Sequence, residues 1–139
     1  MAKITSQKVV EHYIKTHEND TSDKIYPNLM LVRSFSFLLN NSGRKVLDYG
    51  CGYGSNTVFM LTRGANVCYA DTSPYAIKKT SEKIDKLGIN NSKSHSKVIE
   101  IDANSLPLKN EEFDVVVCTS LMSLLSSLDQ MKALLFEFH

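Results

Sequence analysis

The chain has 139 residues and a net charge of +1, from 16 Lys and Arg against 15 Asp and Glu. That length makes one domain, and the balance leaves no basic face for DNA or RNA. No apolar run approaches the roughly 18 residues a membrane span needs, and the amino terminus lacks a charged-then-apolar signal pattern, so a cytoplasmic protein with no membrane partner is expected.

In chain order, Thr5 to about Thr16 carries apolar residues at Val9, Val10, Tyr13 and Ile14, the spacing of an amphipathic helix. Glu18 to Lys24 is a polar loop. A second helix opens at Pro27 and runs to Asn40, with Leu29, Met30, Val32, Phe35, Phe37, Leu38 and Leu39 as its apolar face and Gly43 as its stop. Residues 1–42 thus read as a helical prefix to a domain at 43–139.

The next stretch, Val46-Leu47-Asp48-Tyr49-Gly50-Cys51-Gly52-Tyr53-Gly54, reads as a buried strand ending in an acid, then a glycine turn, then a helix from about Ser55 to Arg63 that stops at Gly64. Alternate glycines let the backbone turn sharply and approach a ligand without a Cβ in the way. The helix start behind them suits an anionic ligand group. A dinucleotide fingerprint, G-x-G-x-x-G, would need glycine at position 55, where Ser55 stands. Asn66 to Asp71 is a second strand ending in a carboxylate, at about the distance where a ribose-binding acid is expected. Ser73 reads as an N-cap and Pro74 suits the first position of a helix running to Leu87 and stopping at Gly88. Its Lys78, Lys79, Lys83 and Lys86 are a solvated face interrupted by Glu82 and Asp85.

Asn90 to Ser96 reads as a polar loop, Lys97 to Ile101 as a third strand closed by Asp102 and Ala103, and Phe113 to Cys118 as a fourth, apolar strand. Strands alternating with segments of helical length predict an α/β fold with a parallel sheet, whose ligands sit outside the carboxyl ends of the strands. The three cysteines, Cys51, Cys68 and Cys118, form no C-x-x-C pair and read as small hydrophobes, with the Cys51 backbone mattering more than its sulfur. His12 and His17 fall on different helix faces, and His95 and His139 have no ligand company, so no metal is expected.

The order D-x-G-x-G-x-G at Asp48 to Gly54, with acids closing the second and third strands, resembles motif I and its companions in the class I S-adenosylmethionine-dependent methyltransferases. The resemblance runs from about Val46 to the last residue. It implies a Rossmann-like, doubly wound sheet of strand order 3-2-1-4, S-adenosylmethionine as cofactor, and a small-molecule or glycan-type acceptor with an O, N or C nucleophile. In that family Asp48, Gly50, Cys51 and Gly52 would serve the methionine and ribose portions, with Asp48 fixing the turn and facing the amino group. Asp71, with Thr72, would take the ribose hydroxyls. Asp102 would read the adenine amino group with Ala103 beside the ring, and Thr119 would join the cofactor site after strand four. Leu124 stands where many members carry a histidine, in a helix over the site at Leu121 to Leu125, so no catalytic base is assigned. Arg33 is a candidate partner of the cofactor carboxylate, and Tyr26 is the other prefix residue facing this question.

A last amphipathic helix spans Asp129 to Phe138, with Met131, Leu134, Leu135 and Phe138 spaced for burial. The family's sheet continues to order 3-2-1-4-5-7-6, so this reading expects a chain truncated after strand four and its helix, self-associating through an exposed sheet edge. Two further readings stay open: a non-catalytic cofactor-binding fragment or pseudoenzyme, and a nicotinamide-dependent oxidoreductase, which Ser55 disfavours.

Overall fold

The computed structural model describes residues 15, 26–38, 43–89, 95–98, 107–119, 125 and 127–139. The first expected helix, apart from Lys15, and the segment Leu121–Leu124 lie outside the described residues. The elements are α1 (Leu29–Leu38), β1 (Lys45–Tyr49), α2 (Ser55–Thr62), β2 (Asn66–Asp71), α3 (Pro74–Lys86), β3 (His95–Val98), β4 (Val115–Val117) and α4 (Leu128–Glu137).

All strand pairs are parallel and the sheet order is β3-β2-β1-β4, the doubly wound, Rossmann-like arrangement the motifs implied. The chain builds outward from β1 to β3 and then crosses back to place β4 on the other side of β1. This reversal beside β1 opens a crevice at the carboxyl ends of the strands, where open α/β sheets take their ligands.

Alternation along each strand sorts the core into two layers. Val46, Val67, Tyr69 and Val117 face one side with Leu31 and Phe35 of α1, Met60 and Leu61 of α2, and Ile84 of α3. Leu47, Tyr49, Cys68 and Ala70 face the other, against Leu134 and Phe138. Both faces of β1 and β2 are therefore buried, which is why these strands read as near-continuous apolar runs. Tyr49 and Phe138 meet edge to face, with centroids 5.4 Å apart.

Local chemistry explains where the helices begin. The Ser73 hydroxyl accepts the Ala76 N–H at 3.3 Å and Pro74 follows at the first helical position. Ser127 does the same for α4, accepting from Gln130 at 3.2 Å. At α1 the N-cap is Asn28 rather than Pro27: its Oδ1 accepts the Met30 N–H (2.9 Å) and the Leu31 N–H (3.2 Å). Gly64 and Gly88, at positive φ, follow α2 and α3 as expected.

Two strand boundaries and one burial expectation differ from the sequence reading. β3 starts at His95, so His95 and Ser96 belong to the strand and not to the polar loop. They pair with Cys68 and Tyr69 of β2, a cross-strand partner that composition does not reveal. β4 is shorter than expected, three residues in place of six. In α4, Leu134 is buried but Leu135 is half exposed, because only one stripe of that helix meets the sheet.

The prefix helix is tied in mainly by Phe35, 1% exposed and edge to face with Phe59 of α2 at 5.7 Å. Phe35→Ala is expected to cost about 3–5 kcal/mol, measured by denaturant unfolding. A loss under about 1 kcal/mol would mean that α1 rides on the domain without contributing to its core.

Candidate functional site

The site lies where β1 ends. Its turn runs through Gly50, Gly52 and Gly54 with φ of 78°, 53° and 75°, all in the left-handed region that side chains with a Cβ disfavour. Gly54 has a second reason to be glycine. A Cβ there would stand 2.5 Å from the Thr80 side chain of α3.

Three amides hold this turn to the end of β2. The Gly50 and Cys51 N–H groups donate to the Ala70 carbonyl at 2.8 and 3.0 Å. The Gly52 N–H donates to Asp71 Oδ2 at 2.9 Å. The other oxygen, Asp71 Oδ1, accepts the Ser73 N–H at 2.9 Å. From α3, the Thr80 hydroxyl donates to the Gly52 carbonyl at 2.9 Å. Asp71 is thus the brace of the glycine turn, and Thr80 is a second brace that sequence reasoning missed. The signal available for Thr80 was its place on the buried face of α3, which alone names no role.

Asp48 acts elsewhere than on the turn. It is fully buried, and its Oδ2 accepts the Thr57 hydroxyl of α2 at 2.6 Å. Its Oδ1 is buried without a hydrogen-bond partner among the described residues. Burial is the largest influence on its acidity and outweighs the Thr57 bond; with the nearby Asp71 charge it pushes the pKa up to about 6. Burial likewise pushes the Cys51 thiol well up and Cys118 to about 11, so both stay neutral. Cys51 meets the turn through its backbone N–H and also through its thiol, which lies 3.7 Å from the Gly52 carbonyl and 3.9 Å from the Thr80 hydroxyl.

A third group spans the crevice. Asn56, on the first turn of α2, accepts the Asn28 N–H with Oδ1 and donates through Nδ2 to the Thr119 hydroxyl, both at 2.8 Å. Thr119, named from its place after β4, therefore sits at the carboxyl end of the sheet beside α2. Neither Asn28 nor Asn56 was visible as a site residue in the sequence. Thr72 is half-buried between Asp71 and the α3 cap, while Arg33 is exposed on α1 and Tyr26 precedes that helix, also exposed. Asp102 and Ala103 lie outside the described residues. The structure thus brings Asp48, Gly50, Cys51, Gly52, Asp71, Thr72 and Thr119 to one end of the sheet.

A parallel sheet with a braced glycine turn at its reversal point defines a Rossmann-like nucleotide-cofactor domain. Residues 46–139 match the model of the methyltransferase domain family. The chain is 33% identical over 96 residues to the mitochondrial ubiquinone biosynthesis O-methyltransferase of Schizosaccharomyces pombe, covering 69% of this chain and 33% of that protein. Its fold resembles a TehB-like SAM-dependent methyltransferase from Corynebacterium glutamicum, with a TM-score of 0.61 at 19% identity over 96% of this chain and 64% of that one. It also resembles a structure concerned with conversion of a disulfide bond into a thioacetal group during echinomycin biosynthesis, with a TM-score of 0.77 at 24% identity over 93% and 54% of the two chains. The chain belongs to the methyltransferase domain family, in the class I S-adenosylmethionine-dependent group. It spans about one third of the length of the curated relative it matches. No helix among the described residues is long and apolar enough to cross a membrane.

The Asp48 environment makes a pH prediction. A carboxyl whose folded pKa is raised binds its proton more tightly when folded, so its contribution is fully present below about pH 4 and is lost as pH rises through about 6. That step is worth on the order of 2–3 kcal/mol. Asp48→Asn should remove it, leaving the ligand-free stability difference between pH 4 and pH 7 smaller than in the parent. Parallel urea titrations at both pH values measure this, and the same pH 4-to-7 stability difference in parent and variant would mean that Asp48 is solvated in solution.

Proposed function

We propose that this chain binds S-adenosylmethionine at the end of β1 and that the protein transfers its methyl group to an O, N or C nucleophile of a small-molecule or glycan-type acceptor. Family membership supplies the cofactor class. The observation that carries the reading is the glycine turn clasped by Asp71 beside a buried, half-satisfied Asp48.

The donor set fits the group. Asp71 Oδ1 and Oδ2 each accept one backbone N–H, and a carboxylate offers about four lone-pair sites. Two remain for ribose hydroxyls. The unpartnered Asp48 Oδ1 faces the need of a cationic amino group, directly or through a water, and such a partner would favour its ionised form. The Gly50 and Gly52 backbone, free of Cβ atoms, gives the methionine portion its close approach. Asp102 would take the adenine amino group, with Ala103 beside the ring. When bound, the cofactor supplies a methyl carbon activated by a sulfonium leaving group. The chain's own work is then to orient that portion, exclude water and align the acceptor, which agrees with a site built from turn and brace residues. Similarity to an O-methyltransferase of ubiquinone biosynthesis supports an oxygen nucleophile on a small molecule. The alternative, a cofactor-binding piece without transfer of its own, is favoured by the outer position of the three-residue β4 among the described strands. A methyl-release assay on phenolic acceptors separates the two.

S-adenosylhomocysteine is expected to bind more tightly than any nicotinamide dinucleotide in calorimetric titration. Asp71→Ala should weaken it by about 1.5–3 kcal/mol, and Gly52→Val should do at least as much harm. Preference for the dinucleotide, or parental affinity in both variants, would overturn this assignment of the site.

A further inference from the structure

Among the described residues, the Asn56 side chain joins three separate stretches of the chain at the crevice. Its donor is forced: a backbone N–H only donates, so the atom 2.8 Å from the Asn28 nitrogen must be oxygen. The amide nitrogen therefore faces Thr119 Oγ1, also at 2.8 Å. Asn28 in turn caps α1 through its own side chain, accepting from Met30 and Leu31. The start of α1, the first turn of α2 and the segment leaving β4 are thereby linked in one line of hydrogen bonds. Asn56 does this from a helix whose N-cap, Gly54, is part of the braced turn and has no side-chain cap of its own.

We propose that Asn56 is a positioning residue that couples two walls of the crevice, the start of α1 and Thr119 just past β4, to the braced glycine turn. Both walls then hold one spacing around whatever acceptor the site takes. This rests on the functional reading above only for what the walls enclose; the coupling itself stands on the two bonds. An amide suits the task because it accepts on one side and donates on the other. Leucine has the same bulk and does neither. Aspartate keeps both contacts, since its oxygens accept from Asn28 and the Thr119 hydroxyl can turn to donate.

The test is hydrogen exchange of the 139-residue protein, read at the amides of residues 28–32, beside calorimetry with S-adenosylhomocysteine. In Asn56→Leu, exchange at Asn28, Met30 and Leu31 should accelerate at least tenfold, with ligand affinity within threefold of the parent. Asn56→Asp should restore parental exchange at these amides. Thr119→Val, which leaves Asn56 and Asn28 in place, should still accelerate exchange at Asn28 severalfold, because the freed amide no longer has a second anchor. An unchanged Asn28 amide in Thr119→Val would overturn the coupling, even if Asn56→Leu fails to fold. A more than tenfold loss of ligand affinity in Asn56→Leu with α1 unaltered would overturn it as well, by placing Asn56 in the cofactor turn. Absence of ligand binding by the parent would count against the functional reading and leave the exchange comparison intact.

Discussion

The bond from the Gly52 amide to the Asp71 carboxylate is the constraint on which the rest of the site depends. A turn with three left-handed glycines has little intrinsic preference for one shape, and its conformational entropy must be offset by contacts from outside. Asp71 provides them from the end of β2, with the Ala70 carbonyl beside it and Thr80 behind. A carboxylate accepting amide bonds is a stronger tether than a neutral acceptor. Because β2 is locked to β1 in parallel register, the turn inherits the rigidity of the sheet. The same carboxylate that shapes the turn is the one proposed to take the ribose hydroxyls, which would make formation of the site and its use rest on one side chain.

Burial governs the electrostatics. Asp48 is fully enclosed between β1 and α2, and its single hydroxyl donor does not repay its desolvation. Such an arrangement is costly by itself, and under the proposed function a cationic group at Oδ1 would offset that cost. The nearby thiols follow the same rule: they are neutral, and contribute bulk and backbone, not nucleophilicity.

The crevice is composite. Its floor is the sheet end, one side is the start of α1 and the other is Thr119 just past β4. The sheet alone sets only the floor. Phe35 and Leu31 pack α1 onto the same layer as α2 and α3, and Asn56 adds a polar link where that packing ends. Apolar contact brings the flank near, while the amide sets its register.

Much of this was legible in the sequence. The glycine spacing, the acids at strand ends and the Ser73-Pro74 helix start are local features, each written within a few residues; they were sufficient for a parallel sheet, and the family resemblance they carry implied the order 3-2-1-4 that the sheet has. β2 and the start of α3 agree to the residue for the same reason. What the tertiary structure decided are partners distant in the chain. That His95 joins β3 depends on the pairing edge offered by Cys68. That Asp71 braces the turn while Asp48 ties down α2 depends on which donors converge on each carboxylate in space. Thr80, Asn28 and Asn56 carry no signature of their own, since a threonine inside a helix or an asparagine near its start is ordinary. Their roles arise because folding places a hydroxyl against a glycine carbonyl 28 residues away and one amide between residues 28 and 119. Hydrogen bonds are short-ranged and directional, so such partnerships exist only once the sheet has fixed the distances.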